Sequence, residues 1–205
     1  MPEPPPPRLP VPGEDLHADL DRGWQLPPPA PREAVHTRSI LCRGFRRDDG
    51  LFDIEARFVD TRPFACDSEF RGHCPAGSAL HHMQLRLTID RERVIRALQS
   101  AMPGTPYAGC GDVQPNLQRL VGCSLGRGWR KTVAEHLGGV DGCTHVRALL
   151  EAMAAAAVQC FASARHAPRP TGAAEPVRIF RVDALLGTCH SYRADGPVMQ
   201  RLRRG

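Results

Sequence analysis

Leu80-His81-His82-Met83-Gln84-Leu85-Arg86-Leu87-Thr88-Ile89-Asp90 alternates apolar and polar residues with a period of two. Successive side chains of a strand point to opposite faces, so Met83, Leu85, Leu87 and Ile89 share one face and Gln84, Arg86, Thr88 and Asp90 the other. One face is dry and the other wet, the pattern of a half-buried strand. His81 falls on the apolar face and His82 on the polar one. A histidine that continues a core face is either satisfied by a neighbour or used as a ligand.

Upstream, Phe52, Ile54, Ala56 and Phe58 alternate with Asp53, Glu55 and Arg57, so a second strand follows the Asp48-Asp49-Gly50 turn and pairs with His36 to Arg47 as a hairpin. Asp60 to Ala79 reads as loop and carries Cys66 and Cys74. Downstream, Val94 to Ala101 suits a strand or a short helix; the brief turn at Arg91-Glu92 and the alternation of Ile95 and Ala97 favour a strand. Met102 to Gln114 is punctuated by Pro103, Gly104, Pro106 and Gly109 and reads as an irregular loop around Tyr107 and Cys110. A short helix is expected over Asn116 to Val121. Another is striped by Trp129, Val133 and Leu137 and stops at Gly138-Gly139. Val146, Leu149, Leu150, Met153, Ala157 and Cys160 then recur at the core spacing of a long helix reaching about Ala164. Val177, Ile179 and Val182 mark a last strand, and Cys189-His190 precedes a turn at Asp195-Gly196. The expected fold is α+β, a small antiparallel sheet packed against two or three helices. Residues 1–34, dense in proline, read as a disordered leader, and residues 35–205 as a single α+β domain.

Composition narrows the function classes. The 205-residue chain is 41% hydrophobic but only 5% aromatic, so its core rests on Leu, Val, Ile, Ala and Met. No apolar run approaches the roughly 20 residues that span a bilayer, and prolines stand where a signal peptide would carry its apolar core. A cytoplasmic protein with eight reduced cysteines and no membrane partner is expected. The net charge of +5 comes from arginine, with Lys131 the only lysine, and the arginines are spread rather than striped. Nucleic acid is therefore not the expected partner; a protein partner stays open, the proline-rich leader being a form of ligand for aromatic grooves.

The chemistry concentrates in Gly138-Gly139-Val140-Asp141-Gly142-Cys143-Thr144-His145. This stretch places a thiol and an imidazole at the start of the long helix, where free N–H groups and the helix dipole favour a thiolate; Asp141 or Thr144 would cap it. Thiolate and imidazole together suit Zn²⁺, or an Fe–S cluster that accepts His in place of Cys. His81, Cys110, Cys143 and His145 are the candidate metal ligands, with Cys189 and His190 as substitutes. The same residues offer an enzyme: Cys143 as nucleophile, His81 or His145 as base, Tyr107 as acid or orienter. Neighbouring helical positions diverge in direction, which makes His145 a poor base for Cys143 and His81 the better one. A binding module without catalysis is the third class.

These residues resemble a bacterial family catalogued as domain of unknown function 2889. The likeness rests on Arg47-x-Asp49-Gly50-Leu51 running into Asp53-Ile54-Glu55-Ala56, on Gly77 to His81 with Met83 and Leu85, and on Pro106-Tyr107 with Cys110. It continues through Leu120 with Gly122, Gly128-Trp129, Gly138 to His145 and Cys189-His190. It implies no activity. A second set, Met83-x-Leu85-x-Leu87-x-Ile89-Asp90 with Val94-Ile95, Cys110, Leu120-x-Gly122 and Cys143-x-His145, is similar in order to U-type iron–sulfur scaffold proteins. Those are small α+β domains with a three-stranded antiparallel sheet, holding a cluster or zinc through three cysteines with an Asp or His. That resemblance implies metal-binding roles for Cys110, Cys143 and His145. His81 stands where the scaffold carries its first Cys-Gly-Asp.

Overall fold

Two inward-facing rows of side chains define the core. In the computed structural model, which describes residues 26–164, 167 and 185–204, Phe52, Ile54, Ala56 and Phe58 are buried on one strand, as are Met83, Leu85, Leu87 and Ile89 on its neighbour. The expected disorder of residues 1–25, and the strand through Val177, Ile179 and Val182, lie outside the described residues. Residues 26–36 are exposed and carry no regular secondary structure.

The strands are β1 (Thr37–Arg46), β2 (Phe52–Thr61), β3 (Cys66–Ser68), β4 (Gly72–Cys74), β5 (Ala79–Ile89) and β6 (Ile95–Gly104). β1, β2, β5 and β6 form one sheet in that order, with every neighbouring pair antiparallel, and β3 pairs with β4 in a separate hairpin. Local chemistry closes each turn. At the first, the Leu51 amide donates to Asp49 Oδ1 at 3.2 Å and Gly50 takes a φ of +84°, the left-handed region open to glycine. At the β5–β6 turn, Asp90 Oδ1 accepts the amides of Glu92 and Val94, each at 2.9 Å. The outward face is polar, with Arg86 reaching Glu55 at 2.8 Å and Gln99 at 3.0 Å across three strands.

The helices cover the inward face. α1 (Trp129–Leu137) buries Trp129, Val133 and Leu137, and α2 (Thr144–Ala164) buries Val146, Leu149, Leu150, Met153, Ala157 and Phe161, a 3.6-residue stripe. α2 runs antiparallel to β2: His145 lies 5.4 Å from the Phe58 ring at one end and Phe161 lies 4.5 Å from Phe52 at the other. Trp129 Nε1 donates to the Leu150 carbonyl at 3.0 Å, tying α1 to α2. The approach of α2 to β1 requires Gly44, because a Cβ there would lie 2.4 Å from the Cys160 sulfur. A short α3 (Pro197–Arg204) follows. Among the described residues, α2 is the helix long and apolar enough to cross a membrane, and one face of it, from Val146 to Phe161, is buried in the core.

The α+β class and the antiparallel sheet agree with expectation, as does the long helix opening at the Cys143 stretch. Three local readings are corrected. Asp60 to Ala79 is not all loop but holds the β3–β4 hairpin. β6 continues through Met102 and Pro103 to Gly104, which an edge strand tolerates because its outer side needs no N–H donor. The helix expected from Asn116 is a longer series of 3₁₀ turns over Ala108–Leu120, which contains Pro115 and buries Leu117 and Leu120.

Candidate functional site

The site grows from one row across the sheet. Arg38 of β1 stands opposite Asp60 of β2, and Asp60 stands opposite His81 of β5. Asp60 and His81 both continue the inward parity of their strands, so a carboxylate and an imidazole arrive at the core's edge, exposed by only 1% and 8%. A buried charge must be paired, and this one is. Arg38 donates to Asp60 Oδ1 through Nε at 2.8 Å and to Oδ2 through Nη2 at 2.9 Å. His36 Nε2 lies 3.2 Å from Oδ1, and His81 Nδ1 lies 3.0 Å from Oδ2.

α2 supplies the second half. His145, in its first turn, lays its ring against that of His81, with centroids 3.8 Å apart and planes inclined by 35°. Phe58 closes beneath both rings, edge-on to each, and Arg38 sits 4.6 Å over the Phe58 ring. One donor atom each from Asp60, His81 and His145 lies within 4.8 Å of the other two. The Cys143 sulfur stands 3.6 Å from His145 Nδ1.

Charge and burial set the protonation states. Burial pushes the Asp60 carboxyl up, but the hydrogen bonds and charge of Arg38, with the charges of His36 and His81, outweigh it and hold the group below its ordinary value. Burial depresses His81 despite the opposing pull of Asp60. It depresses His145 as well, helped by the positive charge of His81 and Arg38. Both imidazoles are thus neutral at neutral pH. An ionised carboxylate only accepts, so His81 carries its proton on Nδ1, which leaves the Nε2 lone pair free. The row orients a histidine, as carboxylate–histidine pairs do behind metal ligands.

Residues 36–159 match the family described as Protein of unknown function (DUF2889). The chain belongs to that family. No curated protein and no solved structure matches it. The DUF2889 span contains His36, Arg38, Asp60, His81, Cys143 and His145, so every member of the cluster lies within the family's own region. The iron–sulfur scaffold likeness gains no support from these comparisons, and the main sheet has four strands rather than three.

Of the six metal candidates, His81 and His145 are brought together beside Asp60, and Cys143 reaches this cluster through its 3.6 Å contact with His145. Cys110, half-buried in the 3₁₀ turns, does not join the cluster among the described residues, and Cys189 is exposed. His190 lies instead against Arg193, at 3.2 Å. Tyr107 is exposed and packs edge-on against Phe70 at 5.0 Å, in the turn between β3 and β4. The reading of His145 as badly placed for Cys143 is corrected. Cys143 precedes the first residue of α2 and is not subject to helical rotation, so its sulfur folds back onto the ring two residues on. Asp60, Arg38 and His36 were not foreseen. Parity held the signal: Asp60 is the next inward position after Phe52, Ile54, Ala56 and Phe58, where an aspartate has no place without a partner.

Proposed function

We propose that this DUF2889 protein binds a divalent metal ion of the zinc type through His81 Nε2, His145 and Cys143 Sγ, with Asp60 and Arg38 orienting His81. The observation that carries this reading is the convergence of the Asp60, His81 and His145 donors within 4.8 Å, with Cys143 Sγ attached at its edge 3.6 Å from His145 Nδ1; full coordination requires the Cys143 side chain to turn toward His81. A Zn–S bond near 2.3 Å and a Zn–N bond near 2.0 Å put neighbouring donors of a tetrahedral site roughly 3.3–3.7 Å apart, and the Cys143–His145 separation of 3.6 Å falls in that range. Two neutral imidazoles and one thiol form a mixed N/S set suited to zinc. An Fe–S cluster is less well served, since Cys143 is the one thiol beside the imidazoles among the described residues. Three protein ligands leave a fourth position for water or a substrate oxygen, the layout of catalytic rather than structural zinc. All eight cysteines are unpaired, which favours a reducing compartment such as the cytoplasm.

The test is elemental analysis of purified protein, followed by cobalt substitution. About one equivalent of zinc is expected. The Co²⁺ form should show a thiolate charge-transfer band that Cys143→Ser abolishes and a d–d spectrum that His81→Ala alters. Wild-type protein that neither retains nor takes up zinc or cobalt would end this reading.

The Cys143–His145 contact also favours a second one, a thiol-dependent enzyme. His145, steadied by His81, would then take the Cys143 proton as the thiol attacks an electrophilic substrate. Stoichiometric alkylation of Cys143 at an unchanged rate with and without chelator would select this reading over the metal site.

A further inference from the structure

The β3–β4 hairpin carries a second pair of sulfurs, remote in role from the cluster above. Cys66 and Cys74 stand directly opposite each other in its antiparallel register. Facing residues of such a pair have Cα atoms about 4.5–5.5 Å apart, inside the roughly 4.4–6.8 Å that a disulfide spans. Both thiols line one small hollow together with Arg62, Arg71 and Ser78. Arg62 Nη1 donates to Cys66 Sγ at 3.0 Å, while the Cys74 thiol turns toward the Gly72 carbonyl at 3.7 Å. Two facing thiols and two guanidinium groups in one depression suit a small anionic reagent that reacts with sulfur.

We infer that Cys66 and Cys74 are a dithiol site oxidised by an anionic low-molecular-weight disulfide of the glutathione type. Cys66 is the entry point, being half-buried where Cys74 is buried. Its thiolate attacks one sulfur of the small disulfide, breaking the S–S bond and releasing one small thiolate, which takes a proton from solvent. Cys74, deprotonated in turn, attacks Cys66 Sγ in the mixed disulfide and expels the second small thiol. Two protein thiols are oxidised to one disulfide, and one small disulfide is reduced to two thiols. The guanidinium groups attract the carboxylates of the reagent. The bond closes the β3–β4 hairpin within the segment that leaves β2 just after Asp60 and re-enters β5 just before His81, so it shortens the free connection between the strand ends that carry Asp60 and His81.

The experiment treats the reduced full-length chain with a glutathione redox buffer, blocks the remaining thiols with iodoacetamide and maps the peptides by mass spectrometry. A Cys66–Cys74 linkage is expected, and Cys74→Ser should accumulate glutathione on residue 66. Arg62→Gln with Arg71→Gln should slow oxidation by glutathione disulfide about threefold or more and leave oxidation by cationic cystamine undiminished. Separate alkylation of Cys66 and Cys74 in the wild-type chain, under buffer oxidising enough to modify its other thiols, would overturn the site. Equal rates for wild-type and arginine variants with glutathione disulfide would overturn the anionic assignment.

Discussion

Replacing Asp60 by asparagine tests the orienting row directly. The two carboxylate oxygens are used differently: Oδ1 accepts from Arg38 Nε and faces His36, whereas Oδ2 accepts from Arg38 Nη2 and His81 Nδ1. An amide nitrogen cannot accept, so Asp60→Asn must turn its NH₂ toward one of these sets. The Oδ1 side is the cheaper choice, because the Arg38 and His36 side chains are 43% and 41% exposed and water can replace what they lose. The amide oxygen then keeps His81 in place without its charge. The expected loss of stability is about 1–3 kcal/mol, at the low end because Arg38 is half in solvent. Asp60→Ala goes further, leaving the His81 Nδ1–H without an acceptor in a site where that ring is 10% exposed; orphaning a buried donor costs about 1–3 kcal/mol beyond the lost pairing. For zinc, weakening the group behind a ligating histidine should lower affinity about 10- to 100-fold, or roughly 1.4–2.8 kcal/mol. Urea unfolding with chelator present measures the first effect, and competition against a chromophoric chelator measures the second. A folded Asp60→Asn protein that binds zinc within twofold of wild type would refute the orienting role, and an Asp60→Ala protein as stable as wild type would refute the buried pairing itself.

Three further outcomes follow from the same geometry. Cys143→Ser should cost at least tenfold in zinc affinity and change metal-free stability by no more than about 0.5 kcal/mol, measured by the same titration and unfolding curves. The metal-free protein should lose stability as pH falls below about 6.5: the folded state depresses His81 and His145, so the unfolded chain takes up protons first. The loss levels off once both folded-state groups have titrated, and urea midpoints from pH 8 to pH 5 should flatten in His81→Gln. Gly44→Ala should destabilise by about 1–3 kcal/mol through overpacking, since the new Cβ would meet both Sγ and Cβ of Cys160, at 2.4 and 2.5 Å. Cys160→Ala should therefore rescue it only in part on thermal melting.

Much of the fold was legible because alternation and the 3.6-residue stripe are local signals. Phe52 to Phe58 and Met83 to Ile89 announced two strands and the faces they bury, and Val146 to Ala157 announced the covering helix. What pattern could not carry was register. Nothing local says that Asp60 meets His81 rather than a residue two positions along, although a slip by two keeps every apolar side chain on its own face. The hairpin inside residues 60–79 was missed for a related reason: three-residue strands are too short to alternate.

The site shows the same division. His81 and Cys143 were findable alone, one by parity on a core strand and the other by its place before a helix. Their partners were not, because Asp60 counts as a residue of the site only once pairing sets it against both Arg38 and His81. Yet the anomaly was present. An aspartate on the inward parity of a core strand costs several kcal/mol unless a cation and hydrogen bonds compensate, so its position alone demanded an arginine or histidine on a neighbouring strand. Following that demand would have led from Asp60 to His81, already marked as a histidine on a core face in need of a neighbour. Two polar residues that each break the inward pattern at the same end of adjacent strands account for one another most economically, and a third group lying against them, here His145, is where chemistry beyond stability begins.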